Sequence, residues 1–231
     1  MSNSARGSGE SFALGFDLDG TLVDSLEDIR AALNACLLEL GRSTVDARTV
    51  RGLVGDGTPL LLSRALGWEA QDERLPGLVE RFQDHYARAP AAHSHWMPGA
   101  EAALRIAEQR RLPLGICTNK PRKATLALLR ALDLERRLAG LVCGDDLGRK
   151  KPDPAPIEAL CEQLNVSVRQ FLFFGDGPQD VLAAKAAGAI SVGVLGGIGD
   201  ERQLREAEPD HLLRDLGGVE RLLSALQPTS A

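Results

Sequence analysis

Four short segments hold most of the residues able to do chemistry: FDLDGTLVDS at 16–25, ICTNK at 116–120, KKPDP at 150–154 and FFGDGPQD at 173–180. Each lies at or just beyond the end of an apolar run. They supply the carboxylates Asp17, Asp19, Asp176 and Asp180, the Thr118 hydroxyl, and the lysines Lys120, Lys150 and Lys151. Carboxylates in such number suit a hard cation, and lysines with a hydroxyl suit phosphate oxygens. A carboxylate such as Asp17 can attack phosphorus only where the charges on both groups are neutralised, which a metal ion and lysines can do. Asp19, two residues on, would share its face if the strand continues locally. The nearness of a second carboxylate would raise its pKa and fit it to deliver a proton to a leaving alkoxide.

Other readings of the same residues fall away. D-x-D also opens an EF-hand loop, but the glycine of that loop belongs at its sixth position. Here the sixth position is Leu22, and Gly20 stands at the fourth. His93 and His95 are spaced i, i+2 without further soft ligands nearby, so they read as hinge or surface packing. Asp145 and Asp146 read as loop residues. Lys150 reads as the solvated member of its lysine pair.

The elements that must position these residues follow from the apolar patterning. Phe12–Phe16 reads as a buried strand, followed by a helix from Ser25 to about Gly41. Asp28 lies in the first turn of that helix, where a negative charge is favourable. Residues 45–90 read as helical throughout, with helices at 58–66 and 75–88. From Pro98 onward helix and strand alternate, with strands at 113–117, 141–143, 171–175 and 190–194 and a weak one at 211–213. Strands separated by helices imply a parallel sheet covered on both faces. The first two strands are almost a hundred residues apart, far more than the roughly 30 residues a crossover needs. Residues 23–95 are therefore expected to form an inserted helical cap, with 11–22 and 96–231 as a doubly wound, Rossmann-like catalytic core. The insert leaves the sheet at the strand edge where ligands bind in open α/β folds.

Composition sets further bounds. The chain is 44% hydrophobic with a formal net charge of -5, which argues against a broad nucleic-acid footprint. No apolar run reaches membrane-spanning length. Residues 1–10 read as a loose polar tail without an apolar signal core. Cys36, Cys117, Cys143 and Cys161 have neither zinc nor redox spacing. Reduced, buried thiols suit a cytoplasmic protein. The composition says nothing of oligomeric state.

The four segments resemble, in order, the four motifs of the haloacid dehalogenase superfamily, and the match covers nearly the whole chain. Finer stretches resemble its phosphoglycolate phosphatase branch: VGDGTPLLLSRAL at 54–66, LPLGICTNKP at 112–121, GDDLGRKKPDP at 144–154 and AAKAAG at 183–188. The resemblance implies Asp17 as a nucleophile that forms an aspartyl-phosphate and Asp19 as the acid/base. It implies Thr118, Asn119 and Lys151 as phosphate-binding residues, with Lys120 also lining the site. Mg2+ would be held by Asp17, the main-chain carbonyl of Asp19 and Asp176, with Asp180 as a ligand or outer partner. Many relatives carry Ser where this chain has Gly177. The implied substrate is a small phosphorylated metabolite, with 2-phosphoglycolate the leading choice.

Within the superfamily, Asp19 argues against a dehalogenase, which needs no acid for a halide. The Schiff-base chemistry of phosphonate-cleaving relatives needs a cap lysine, and no lysine precedes Lys120. Sugar-phosphate phosphatases and phosphomutases stay open as alternatives, as does a catalytically silent binding module, which the intact motif residues disfavour. In the insert, the 50–58 segment is expected to close over the substrate. Arg51 or the amides of Gly55–Gly57 would meet the group remote from phosphorus.

Overall fold

The computed structural model describes residues 12–226; the polar tail expected at 1–10 lies outside the described residues. Six parallel strands form one sheet: β1 (Ala13–Phe16), β4 (Leu114–Cys117), β5 (Gly140–Val142), β6 (Phe171–Gly175), β7 (Ile190–Val194) and β8 (His211–Leu213). Their order is β5-β4-β1-β6-β7-β8, so the chain runs outward on one side of β1 and then on the other. In such a doubly wound sheet the ligand crevice opens at the strands' carboxyl ends, where the order reverses. Helices α5 (Ala100–Gln109), α6 (Arg122–Ala131), α7 (Ala155–Leu164), α8 (Pro178–Ala187), α9 (Glu201–Glu206) and α10 (Val219–Leu226) connect and follow the strands.

Alternation along the strands divides the core into two layers. Ala13, Phe171 and Phe173 face Ile157, Leu160 and Ala184. Leu14, Phe16, Leu172 and Phe174 face the other way and join Leu104 and Leu128. Gly15 is required by this packing, since a Cβ there would sit 2.1 Å from a ring carbon of Phe171.

Between β1 and β4 lie α1 (Leu26–Glu39), α2 (Ala47–Arg51), α3 (Thr58–Leu66) and α4 (Leu75–Arg88). Helix α4 packs against α1, α3 and the core helix α6. Its Leu78, Phe82 and Tyr86 join the same apolar cluster as Phe16 and Leu128. The passages into and out of this helical segment pair as an antiparallel ribbon of β2 (Val23–Asp24) and β3 (His95–Trp96). Two-residue strands carry no readable periodicity, and the sequence gives no sign of them. Asp28 closes the same junction. Its buried carboxylate accepts hydrogen bonds from the N–H groups of His93 and Ser94 and from the Ser94 hydroxyl.

Candidate active site

The apolar strands end where the polar residues begin. Asp17 follows β1, Thr118 follows β4, and Asp176 follows β6. Lys151 arrives on the loop between β5 and α7, and Asp180 from the first turn of α8. Lys151 is 1% exposed in its side chain, and its ammonium lies 2.9 Å from Asp17 Oδ1 and 2.6 Å from Asp180 Oδ1. It also donates to the Cys117 carbonyl at 2.8 Å. Burial alone would lower its pKa, but Asp17 and Asp180 overrule burial and hold it above the ordinary lysine range.

Oxygens of Asp17, Asp176 and Asp180 lie within 4.8 Å of one another. Burial pushes Asp17 up to about 6, opposed by Lys151 and reinforced by Asp180. Burial and the charge of Asp17 likewise push Asp176 up to about 6. Asp176 is held by three donors: the Thr21 hydroxyl at 2.9 Å and the N–H groups of Ile198 and Gly199 at 2.8 and 2.9 Å. Gly20 lets the chain pass this carboxylate. It has φ +88°, and a Cβ there would lie 2.3 Å from Asp176 Oδ2.

Asp19 faces elsewhere. Its carboxylate accepts from the Lys120 ammonium at 2.8 and 3.1 Å and from the Ser25 hydroxyl. The nearest charge on Asp19 is therefore a cation, not the second carboxylate that the D-x-D spacing suggested. Ser25 precedes α1, but its side chain caps no helix N–H and serves Asp19 instead. The Lys120 ammonium also lies 4.1 Å from the ring centroid of Tyr86 on α4. Burial would lower the Lys120 pKa, and Asp19 overrules it and raises it.

The donor set suits a hard divalent cation. It is all oxygen, preassembled and strained by mutual repulsion. Four carboxylates (Asp17, Asp19, Asp176, Asp180) meet two buried ammoniums (Lys120, Lys151), which leaves two negative charges to neutralise. Thr118 is buried beside this cluster. Its Oγ1 accepts the Lys120 N–H at 3.2 Å, so its own proton is free to donate.

A cavity of about 430 Å³ opens above these groups. Asp17, Asp19, Thr118, Lys120 and Asp176 line it from the sheet, and Arg51, Gly55, Asp56, Gly57 and Arg64 from the inserted segment. The family model of haloacid dehalogenase-like hydrolases matches residues 13–188, a span that takes in all four chemical segments. The chain belongs to the haloacid dehalogenase-like hydrolase family. It is an enzyme, a phosphatase-like hydrolase. It is 43% identical over 180 residues to a phosphoglycolate phosphatase of Rhodospirillum rubrum, covering 75% of each chain. It is 32% identical over 220 residues to a phosphoglycolate phosphatase of Haemophilus influenzae, covering 92% of this chain and 97% of that one. A solved structure described as a predicted phosphoglycolate phosphatase from Haemophilus somnus superposes with a TM-score of 0.83 at 26% identity. That match covers 94% of this chain and all of the other.

Asn119 and Lys150 also stand differently from their sequence reading. Asn119 is buried in the site, but its side chain is spent on the backbone. Nδ2 donates to the carbonyls of Gly55 and Lys151, and Oδ1 accepts the Lys151 N–H, all at 3.0 Å. Lys150 is half-buried rather than fully solvated, because Gly57 packs against it; a Cβ on Gly57 would lie 3.0 Å from its ammonium. Gly177 leaves room that the Gln179 amide fills. Asp145 and Asp146 hold Arg122 and the loop. His93 and His95 lie on the return passage from the insert. Arg51, an expected cap contact, lines the cavity while its guanidinium donates to the carbonyls of Gly197 and Ile198 at 2.7 and 3.4 Å. Burial raises the thiols of Cys117, Cys143 and Cys161 to about 12, which disfavours the reactive thiolate. Among the described residues, no helix is long and apolar enough to cross a membrane.

Proposed function

We propose that this chain hydrolyses a small phosphate monoester, 2-phosphoglycolate, through a phosphoenzyme on Asp17. The observation that carries the reading is the buried Lys151 ammonium shared between Asp17 and Asp180, with Asp176 drawn into the same cluster. The names of the relatives supply the substrate. Asp17, Asp176 and the main-chain carbonyl of Asp19 would hold Mg2+, with Asp180 as a further ligand or outer partner; the ion would neutralise carboxylate and phosphate charge. We further read residues 23–95 as the cap that shields the reaction from water.

Asp17 attacks phosphorus, forming its O–P bond as the P–O bond to the leaving group breaks. Asp19, in its protonated form, gives its proton to the departing alkoxide and is left as the carboxylate that Lys120 holds. Asp19 then takes a proton from water, whose oxygen attacks phosphorus, and the Asp17 carboxylate leaves as phosphate forms. Lys151 holds Asp17 in place and offsets charge on the transferring group, while the Thr118 proton points to a phosphoryl oxygen. Lys120 and Ser25 fix the direction of the Asp19 carboxylate. Asn119 positions the Lys151 backbone.

The test is a panel of phosphorylated metabolites ranked by kcat/KM with Mg2+ present. 2-Phosphoglycolate is expected to head the ranking. A sugar phosphate well ahead of it would replace the substrate, and no turnover of any ester would overturn the phosphatase reading.

A further inference from the structure

The cavity is lined by two arginines of the inserted segment, and their partners differ in kind. Arg51 donates to main-chain carbonyls of Gly197 and Ile198, on the stretch whose N–H groups hold Asp176. Those acceptors belong to the scaffold and are not free to leave. The Arg64 guanidinium has one partner among the described residues, the Asp56 carboxylate at 2.6 Å. Both side chains of that pair are more than a third exposed, at 44% and 37%. Exposed pairs of this sort are weakly held.

The Asp56 side chain is free to turn: it is more than a third exposed, while the backbone beside it is held at the Gly55 carbonyl by Asn119. Asp56 has a second cation to turn to. Lys150 is half-buried against Gly57 and makes no ion pair among the described residues. Burial lowers the Lys150 pKa, and Asp145 and Asp56 are the acids that act against that.

We propose that Arg64 reads the carboxylate of the substrate, and that Asp56 is its stand-in, holding the guanidinium over the cavity until the substrate's carboxylate displaces it. The guanidinium fork matches a carboxylate with two parallel hydrogen bonds, so the exchange replaces like with like. Displaced Asp56 turns toward Lys150. The inserted segment then recognises the end of the substrate remote from phosphorus through Arg64, while Arg51 keeps a structural post. This rests on the phosphomonoesterase reading above and deepens it by naming the group that selects the substrate.

The test compares 2-phosphoglycolate with its neutral isostere, the phosphate ester of glycolamide, on the wild type, Arg64→Met, Arg64→Lys and Asp56→Asn. The wild type is expected to favour the acid. Arg64→Met should lower kcat/KM for the acid by roughly 10- to 150-fold, the scale of one charge-assisted contact, while the amide changes by less than about 3-fold. Arg64→Lys, which keeps the charge and loses the fork, should fall between. Asp56→Asn should raise kcat/KM for the acid a few-fold, by roughly the strength of the exposed pair it removes, and leave the amide alone. The amide rate doubles as the check on folding. A wild type that prefers the acid, with Arg64→Met keeping that preference or losing both substrates alike, would overturn the role of Arg64 and leave the phosphoglycolate reading standing. A wild type that treats acid and amide equally would overturn both. Slower acid turnover in Asp56→Asn would overturn the stand-in.

Discussion

The floor and the roof of the cavity are built on opposite principles. On the floor, Lys151 is almost fully buried and shared between two carboxylates and a carbonyl. On the roof, the Arg64–Asp56 pair is exposed on both sides, and each member has one side-chain partner among the described residues. Removing one partner from a buried pair costs about 3–5 kcal/mol, whereas exposed pairs contribute about 0–1 kcal/mol. The floor therefore holds its charges in one arrangement, which suits chemistry at phosphorus. The roof holds its charges loosely, which suits an exchange of one anion for another.

The largest effect is expected at the floor. Asp17→Asn should lower kcat by on the order of 10⁵-fold, the scale of a lost nucleophile, because no neighbouring group can replace the attacking oxygen. Circular dichroism should stay that of the wild type, since Lys151 keeps Asp180. Near-normal turnover in a preparation free of wild type would break the assignment of the floor as the reacting surface.

Asp19→Asn should cost about 10²–10⁴-fold on esters with poor leaving groups, the usual contribution of acid–base assistance. An activated aryl phosphate should lose less, because its leaving group needs no proton. The measurement is a single-turnover comparison of the two ester classes. Equal losses would remove Asp19 from the role of acid.

Metal dependence sits next in size. Excess chelator should abolish turnover, and Mg2+ should restore it. Asp176→Asn should raise the Mg2+ concentration needed for half-maximal rate by at least about 10-fold. Ca2+ should substitute poorly, because it prefers more ligands in looser geometry. An unchanged Mg2+ requirement in Asp176→Asn would detach this carboxylate from the metal reading.

Floor and roof also differ in how much of them the sequence makes legible. The doubly wound sheet is readable because β1 and β6 are unbroken apolar runs that stop at Asp17 and Asp176. Helices α3 and α4 are readable because apolar residues recur at helical spacing. Helix α9 is not, because Leu204 is its one buried residue. The role of Lys120 is set by contacts from two distant places, Asp19 after β1 and Tyr86 on α4, and no local pattern encodes that meeting. Asp28 looks like a helix-start acid by its position in α1, yet it also receives the backbone of His93 and Ser94, 65 and 66 residues on. Lys150 follows from the same limit. A lysine doublet carries no sign of which member a remote glycine will pack against. Local signals give the strand ends; long-range contacts decide what each side chain does there.

The smallest effect concerns Arg51, and it separates the two arginines of the roof. From sequence alone Arg51 is the natural choice to grip the substrate, as the basic residue nearest the glycine turn. Its guanidinium instead ties the inserted segment to the Gly197–Ile198 carbonyls, and the next N–H groups along hold Asp176. Loss of one such hydrogen bond at an exposed side chain is worth about 0.5–1.5 kcal/mol, or roughly 2- to 12-fold in rate. Because the bond steadies the floor and touches no substrate group, the loss should fall on every substrate alike. Arg51→Ala is therefore expected to lower kcat/KM for 2-phosphoglycolate and for the glycolamide ester by the same few-fold factor. A selective loss on the acid alone would move the carboxylate contact to Arg51 and make Arg64 a surface residue. A uniform loss would place Arg51 with the scaffold, and would mean that selection on the roof depends on the residue whose partner can leave.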